Sequence, residues 1–194
     1  PKFKAIRDRL TVKGRPAGPG LGGLLRIRWQ VPVGVDERPE AFATSDGVLL
    51  VAGHINGRAL AKNPLCAKLR AFDLADGHQR WALDMNPRPG AAADMGTATF
   101  NSRVSDLAAA ADRAYVLLKT ERFQRRGASR TGSTVATTVA AVNLKSGRIL
   151  WQTEVARLAN KLYPLGEHLV ATGFRSLSGL AARTGEHIWE QSLD

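Results

Sequence analysis

Four histidines, one cysteine, one acidic pair and one glycine-rich run are the first candidates for chemistry in this 194-residue chain. His54, His78, His168 and His187 are scattered, and no two sit four residues apart as a helical metal pair would. They read as strand or surface histidines. Cys66 is the single cysteine, which excludes an internal disulfide and any multi-cysteine metal site. As a nucleophile it would need a neighbouring base; none can be named, and it reads as a buried or loop thiol. Asp36-Glu37 is the nearest thing to a hard-cation ligand set and reads as part of a solvated connection. GPGLGG at residues 18–23 lacks the Lys-Ser/Thr ending and the following helix of a phosphate loop, so it reads as a linker. No catalytic residue, metal site or cofactor is expected from this set.

Charge is the other source of chemistry. The chain carries 28 Lys and Arg against 17 Asp and Glu, a net +11. Residues 1–30 hold eight basic residues against Asp8, giving +7. Residues 119–130 hold Lys119, Arg122, Arg125, Arg126 and Arg130 against Glu121, giving +4. These two segments account for the whole excess, and the rest is neutral. A nucleic-acid-binding domain spreads its basic residues over a face or a helix; here a neutral body carries a basic leader and one basic loop. Two readings stand: solvated appendages that aid solubility, or contact with an anionic partner such as lipid headgroups, an acidic protein surface or nucleic acid.

The elements that must position these residues follow from a repeat. Composition suits one domain with a sizeable core: 44% of residues are hydrophobic and 23% charged. No apolar run approaches the ~18–20 residues that span a bilayer as a helix. Three segments superimpose on a glycine followed four residues later by tryptophan: AFDLADGHQRW at 71–81, AVNLKSGRILW at 141–151 and GLAARTGEHIW at 179–189. Trp29, in RIRWQVPV, matches the tail of the second copy, so all four tryptophans share one register. Before and after each glycine apolar and polar residues alternate with period two, the mark of a half-buried strand. Asp76-Gly77 and Ser146-Gly147 are turn pairs, and Asp73 and Asn143 have side chains short enough to bond the turn backbone. Upstream of each copy lies a second hairpin: residues 41–52 around Ser45-Asp46-Gly47, 104–118 around Asp112-Arg113, and 162–172 around Gly166-Glu167. The alanine run 108–111 suits a helix by propensity and a strand by its place in the repeat; the strand is preferred. Each unit then has four antiparallel strands and ends on the tryptophan strand, which is a propeller blade.

Tryptophan spacings of 52, 70 and 38 residues speak for blades with unequal loops rather than a uniform solenoid. The longest interval takes in residues 120–138, expected as an exposed loop or an extended hairpin between a blade's inner strands; residues 53–68 form a shorter equivalent. Residues 1–24 read as a basic, Pro/Gly-rich leader or linker. Residues 25–33 are expected as the outer strand of a preceding blade, and 41–85, 104–155 and 162–193 as three complete blades.

The segment 71–81 fits the pattern AxDxxxGxxxW in full and resembles the repeat of PQQ-like, quinoprotein-type β-propellers, over roughly residues 25–194. The second copy has Asn143 in place of Asp, and the third has Gly179 and Ala181 in place of Ala and Asp. The resemblance implies that Trp81, Trp151 and Trp189, with Trp29, dock on neighbouring blades, and that Gly77, Gly147 and Gly185 are the receiving turns. Three blades do not close a ring. The Pro1 start points to a piece of a longer propeller; several chains completing one ring is the other possibility. Quinoprotein dehydrogenases of this family add an adjacent cysteine pair and carboxylate and amide ion ligands, which these residues do not supply. The function the resemblance implies is therefore a non-catalytic interaction scaffold or sensor ectodomain in the bacterial cell envelope. It would bind a protein or an anionic partner, with 119–130 as the contact. The alternative is a fragment of a PQQ-dependent dehydrogenase whose site lies outside this chain.

Overall fold

Hairpin turns set the strand pairing. At Asp46-Gly47 both residues take left-handed φ values, 47° and 70°, a type I′ geometry whose twist matches the strands it joins. It closes β1 (Glu37–Ser45) on β2 (Val48–Ile55), with Ser45 opposite Val48. The computed structural model describes residues 29, 37–55, 67–85, 99–126, 129–156 and 158–193, with the backbone alone for 37, 55, 99–101, 122–126 and 129–135. The chain divides into two units, Pro1–Gln30 and Val31–Asp194. Trp29 is the one described residue of the first unit, half-buried and outside any strand. The leader 1–24 and the rest of the expected outer strand 25–33 lie outside the described residues, as do Cys66, the 18–23 run and Asp36.

In the second unit the described residues form twelve strands and no helix. β1 and β2 are followed by β3 (Ala67–Asp73) and β4 (Gln79–Met85) in one sheet, paired antiparallel in the order β1-β2-β3-β4. The next sheet holds β5 (Thr99–Ala110), β6 (Arg113–Arg126), β7 (Ser129–Asn143) and β8 (Ile149–Glu154), the last β9 (Ala159–Leu165), β10 (His168–Gly173), β11 (Ser176–Ala181) and β12 (His187–Ser192). First strands meet in succession, β1 against β5 and β5 against β9, so each sheet is a propeller blade. Among the described residues no fourth blade closes the ring. The strands begin at residues 37, 99 and 159, a few residues before the alternation becomes readable, because the polar residues there join by backbone pairing. Glu37, expected in a connection, opens β1 opposite Ile55. The alanine run 108–110 lies in β5 and its last alanine, Ala111, takes the positive φ of the turn; sheet pairing overrides helix propensity.

The core lies between blades, in two layers. Val48, Leu50, Ala52 and Leu69 of the first blade meet Ala114, Val116, Leu118 and Val142 of the second. Tyr115, Leu117, Val139 and Ala141, on the second blade's other face, meet Leu162, Leu169, Ala171 and Leu180 of the third. Each fully buried Val or Leu contributes about 1.5–3 kcal/mol. The middle blade is thus covered on both faces and its inner strands read as continuous apolar runs, while β3 alternates between buried and half-buried positions.

Candidate functional site

The turn after each third strand is built alike. Asp73 accepts the N–H of Ala75 at 2.8 Å, and Asn143 accepts the N–H groups of Lys145 and Ser146 at 3.1 and 2.9 Å. Gly77, Gly147 and Gly185 then turn back at φ 76°, 69° and 75°. Of these two acceptors Asp73 is a carboxylate and is held in its charged form: Arg80 donates to Asp73 at 2.7 Å, and with the Ala75 N–H it keeps the Asp73 carboxyl below the ordinary 3.8. A pKa depressed by folding adds stability above the unfolded value, and this is lost as pH falls through the folded one. Asp73→Asn, the residue the second blade uses, should therefore flatten the acid end of the urea-midpoint profile. An unchanged acid limb would show that Asp73 carries none of it.

Across each blade boundary a tryptophan meets such a turn. The Trp81 Nε1–H donates to the Leu144 carbonyl at 2.8 Å, and its ring lies where a Cβ on Gly147 would fall, 2.7 Å from Cδ2. Trp151 repeats the arrangement one blade on: Nε1–H donates to the Ala182 carbonyl at 3.2 Å, and a Cβ on Gly185 would lie 2.5 Å from its Cδ2. The same Ala182 oxygen accepts from Arg113 Nη1 at 2.9 Å and from the Tyr115 hydroxyl at 3.4 Å. Tyr115 packs tilted on Trp151, ring centroids 6.1 Å apart, and burial pushes its phenol above the usual value. Gly77 has the same turn, but Trp29 belongs to the other unit. Trp189 lies over Gly179 of its own blade and is 43% exposed; among the described residues no blade lies beyond it. So the structure brings together two of the expected tryptophan–glycine pairs.

The other candidates separate. His54 faces Glu40 at 2.9 Å, and the His187 Nε2 lies 2.8 Å from the Glu154 carbonyl oxygen. Among the described residues no three His, Cys, Asp or Glu side chains converge. Asp106 is a carboxylate that the sequence reading passed over. It follows a bulge in β5, and its oxygens take the Leu162 N–H at 2.8 Å and Lys161 Nζ at 3.2 Å. It ties the first strands of two blades, and both its oxygens are engaged. A shallow groove of about 320 Å³ lies between Arg113, Tyr115, Glu167 and Arg183, but the Arg113 cation is already committed to Ala182 and, at 3.4 Å, to Asp112.

Residues 119–130 form an arm. β6 and β7 pair in one hairpin from Arg113↔Asn143 to Arg126↔Ser129, with a single irregularity between Thr120 and Glu121, far longer than the β10–β11 hairpin, which ends at Gly173↔Ser176. β5 runs beside β6 as far as Thr99↔Phe123. Of the two forms expected for this segment, the extended hairpin is the one present. Arg122, Arg125 and Arg126 lie on β6 and Arg130 on β7, with Arg125 and Arg130 at directly paired positions. At its root Lys119 sits opposite Arg103, whose guanidinium meets Glu121 at 3.3 Å. Burial first, then the Arg103 charge, lowers the Lys119 pKa.

Comparison with known proteins gives two relevant findings. The profile of a family described as outer membrane protein assembly factor BamB matches residues 26–162 and 135–194. Among solved structures the chain is similar to BamB from Moraxella catarrhalis, with 16% identity and a TM-score of 0.53, covering 82% of this chain and 38% of that one. At that identity the likeness bears on the fold, and the chain spans little more than a third of that protein. The computationally designed Ika8 protein matches at 9% identity and a TM-score of 0.31, over 80% of this chain and 62% of that one, and carries no argument. No curated protein matches the chain.

Proposed function

This chain belongs to the family described as outer membrane protein assembly factor BamB, and from that premise we propose that it is a non-catalytic scaffold of the bacterial cell envelope. Its work is to hold a protein or anionic partner against the basic arm of the second blade. The observation that carries this is the arm itself: a hairpin with a formal charge of +4 over 119–130, rooted in the blade whose two faces are both buried. Recognition is commonly placed on projections from a rigid scaffold. Five cations against one carboxylate attract an anionic surface over roughly a Debye length, and weaken with salt. Arginine, four of the five, suits bidentate contact with carboxylate or phosphate. The family's description as an assembly factor supports a protein as the partner and the outer membrane as the setting.

The test replaces Arg122, Arg125, Arg126 and Arg130 together by Ser. Binding of the chain to envelope fractions at low salt should fall by about tenfold, since four ionic contacts of ~0.3–0.5 kcal/mol each amount together to about 1.2–2 kcal/mol, the range that brackets the 1.4 kcal/mol of a tenfold change. Folding stability should change little. Unchanged binding with unchanged salt dependence would return the arm to a solvated appendage.

A further inference from the structure

We propose that the outer edge of β7 over residues 129–134 is a strand-addition site, which takes an extended acidic peptide segment of a partner protein. The inference rests on the reading of the arm above and names its occupant and its mode of binding.

The observation is a mismatch of strand lengths. In the first blade β4 follows β3 through its length, from Ala67↔Met85 to Phe72↔Gln79. In the third, β12 likewise follows β11 from Ser176↔Ser192 to Leu180↔His187. In the second, β8 accompanies β7 only from Val142↔Ile149 to Thr138↔Glu154, while β6 accompanies it all the way to Ser129. Among the described residues, no strand lies along the other side of 129–136. A strand edge of that kind offers a backbone N–H and C=O at alternate residues, a template for another chain.

Two features make the template usable. Residues 129–134 pair with 126–121 in unbroken register; the irregularity comes after, where Thr120 pairs with Ala136 and Glu121 with Thr134. Six residues in register match the length of an ordinary strand, about 5–6 residues. The run is Ser-Arg-Thr-Gly-Ser-Thr, without proline or lysine, two of the means by which natural edges are blunted. Charge then selects the occupant. Arg125 and Arg130 stand at paired positions, and like charges directly opposite each other repel. An added strand carrying carboxylates relieves that repulsion, and one carrying lysines increases it. A lipid surface would meet the same charge, but it makes no use of an open backbone edge.

The experiment uses the whole chain and a blocked peptide of about eight residues alternating Glu and Val, enough for one strand. Hydrogen exchange should slow by about tenfold or more at alternate amides within 129–134 when the peptide is present. Two N-methylated versions decide the mode. Methylating one alternate set of peptide nitrogens should abolish binding, and methylating the other should leave it, because an added strand turns alternate N–H groups toward its neighbour. A Lys-Val peptide should not bind. The four-arginine-to-serine variant should bind the Glu-Val peptide about tenfold more weakly while keeping the same exchange pattern. If both methylated peptides bind equally, or no amide in 129–134 is protected, strand addition is wrong even though salt-sensitive binding keeps the arm's charge reading alive. If anionic phospholipid vesicles bind and the peptide does not, the occupant is a membrane and the proposal falls. If neither binds, both readings fall together.

Discussion

Trp151→Ala should lower the free energy of unfolding by about 3–5 kcal/mol, the usual loss for a large aromatic removed from a core. That is a large fraction of the ~5–15 kcal/mol that holds an ordinary domain. The ring joins two blades: its Nε1–H meets the Ala182 carbonyl at 3.2 Å, and its six-membered edge covers the Gly185 turn. Tyr115 packs on its side in the same layer. Removing it opens a cavity on the face that Leu117, Leu169 and Leu180 share, and leaves the Ala182 oxygen with two of its three donors. Trp189→Ala is the matched control. It occupies the same place on β12 but is 43% exposed and covers Gly179 of its own blade, so its loss should stay under about 2 kcal/mol. Urea denaturation of the two variants measures the difference. Equal losses would mean that the ring's contribution comes from its own blade and not from the junction.

The contrast between those tryptophans also marks how far the sequence was legible. The glycine-to-tryptophan spacing located every fourth strand, and the period-two alternation located the hairpins, because both are local signals. The partner of each tryptophan was reached through the family resemblance, since nothing in 71–81 says which turn 63 residues later receives Trp81. The middle blade obscured its own pattern. Tyr115, Val116, Leu117 and Leu118 are all buried, since successive side chains enter different layers, and such a run has no alternation to read. The arm stayed ambiguous between loop and hairpin because its sequence is polar and its order comes from backbone pairing with β6. Asp106 was missed for a related reason. Its role depends on a bulge and on Lys161 and the Leu162 amide, 55 and 56 positions away, and no spacing rule connects them.

A glycine pair tests the same junction by adding atoms instead of removing them. Gly47 and Gly147 share one backbone state, at φ 70° and 69°, so an alanine at either position meets the same left-handed penalty of roughly 1–2 kcal/mol. Their surroundings differ. A Cβ on Gly47 has no heavy atom within 4 Å, whereas one on Gly147 would lie 2.7 Å from Cδ2 of Trp81 and 2.9 Å from Cγ. Those are root atoms of the indole, and the ring is anchored at its far side by the Leu144 carbonyl at 2.8 Å. It cannot retreat without giving up that bond or the packing of the layer around Leu69 and Val142. Forcing a methyl into such a site typically costs ~1–3 kcal/mol more. Gly147→Ala should therefore destabilise by about 2–5 kcal/mol and Gly47→Ala by about 1–2. In the background of Trp81→Ala the space behind Gly147 is empty, so there the two alanine substitutions should cost the same. A gap that persists without Trp81 would trace the penalty to the turn itself, and the tryptophan would then not be what requires glycine at that position.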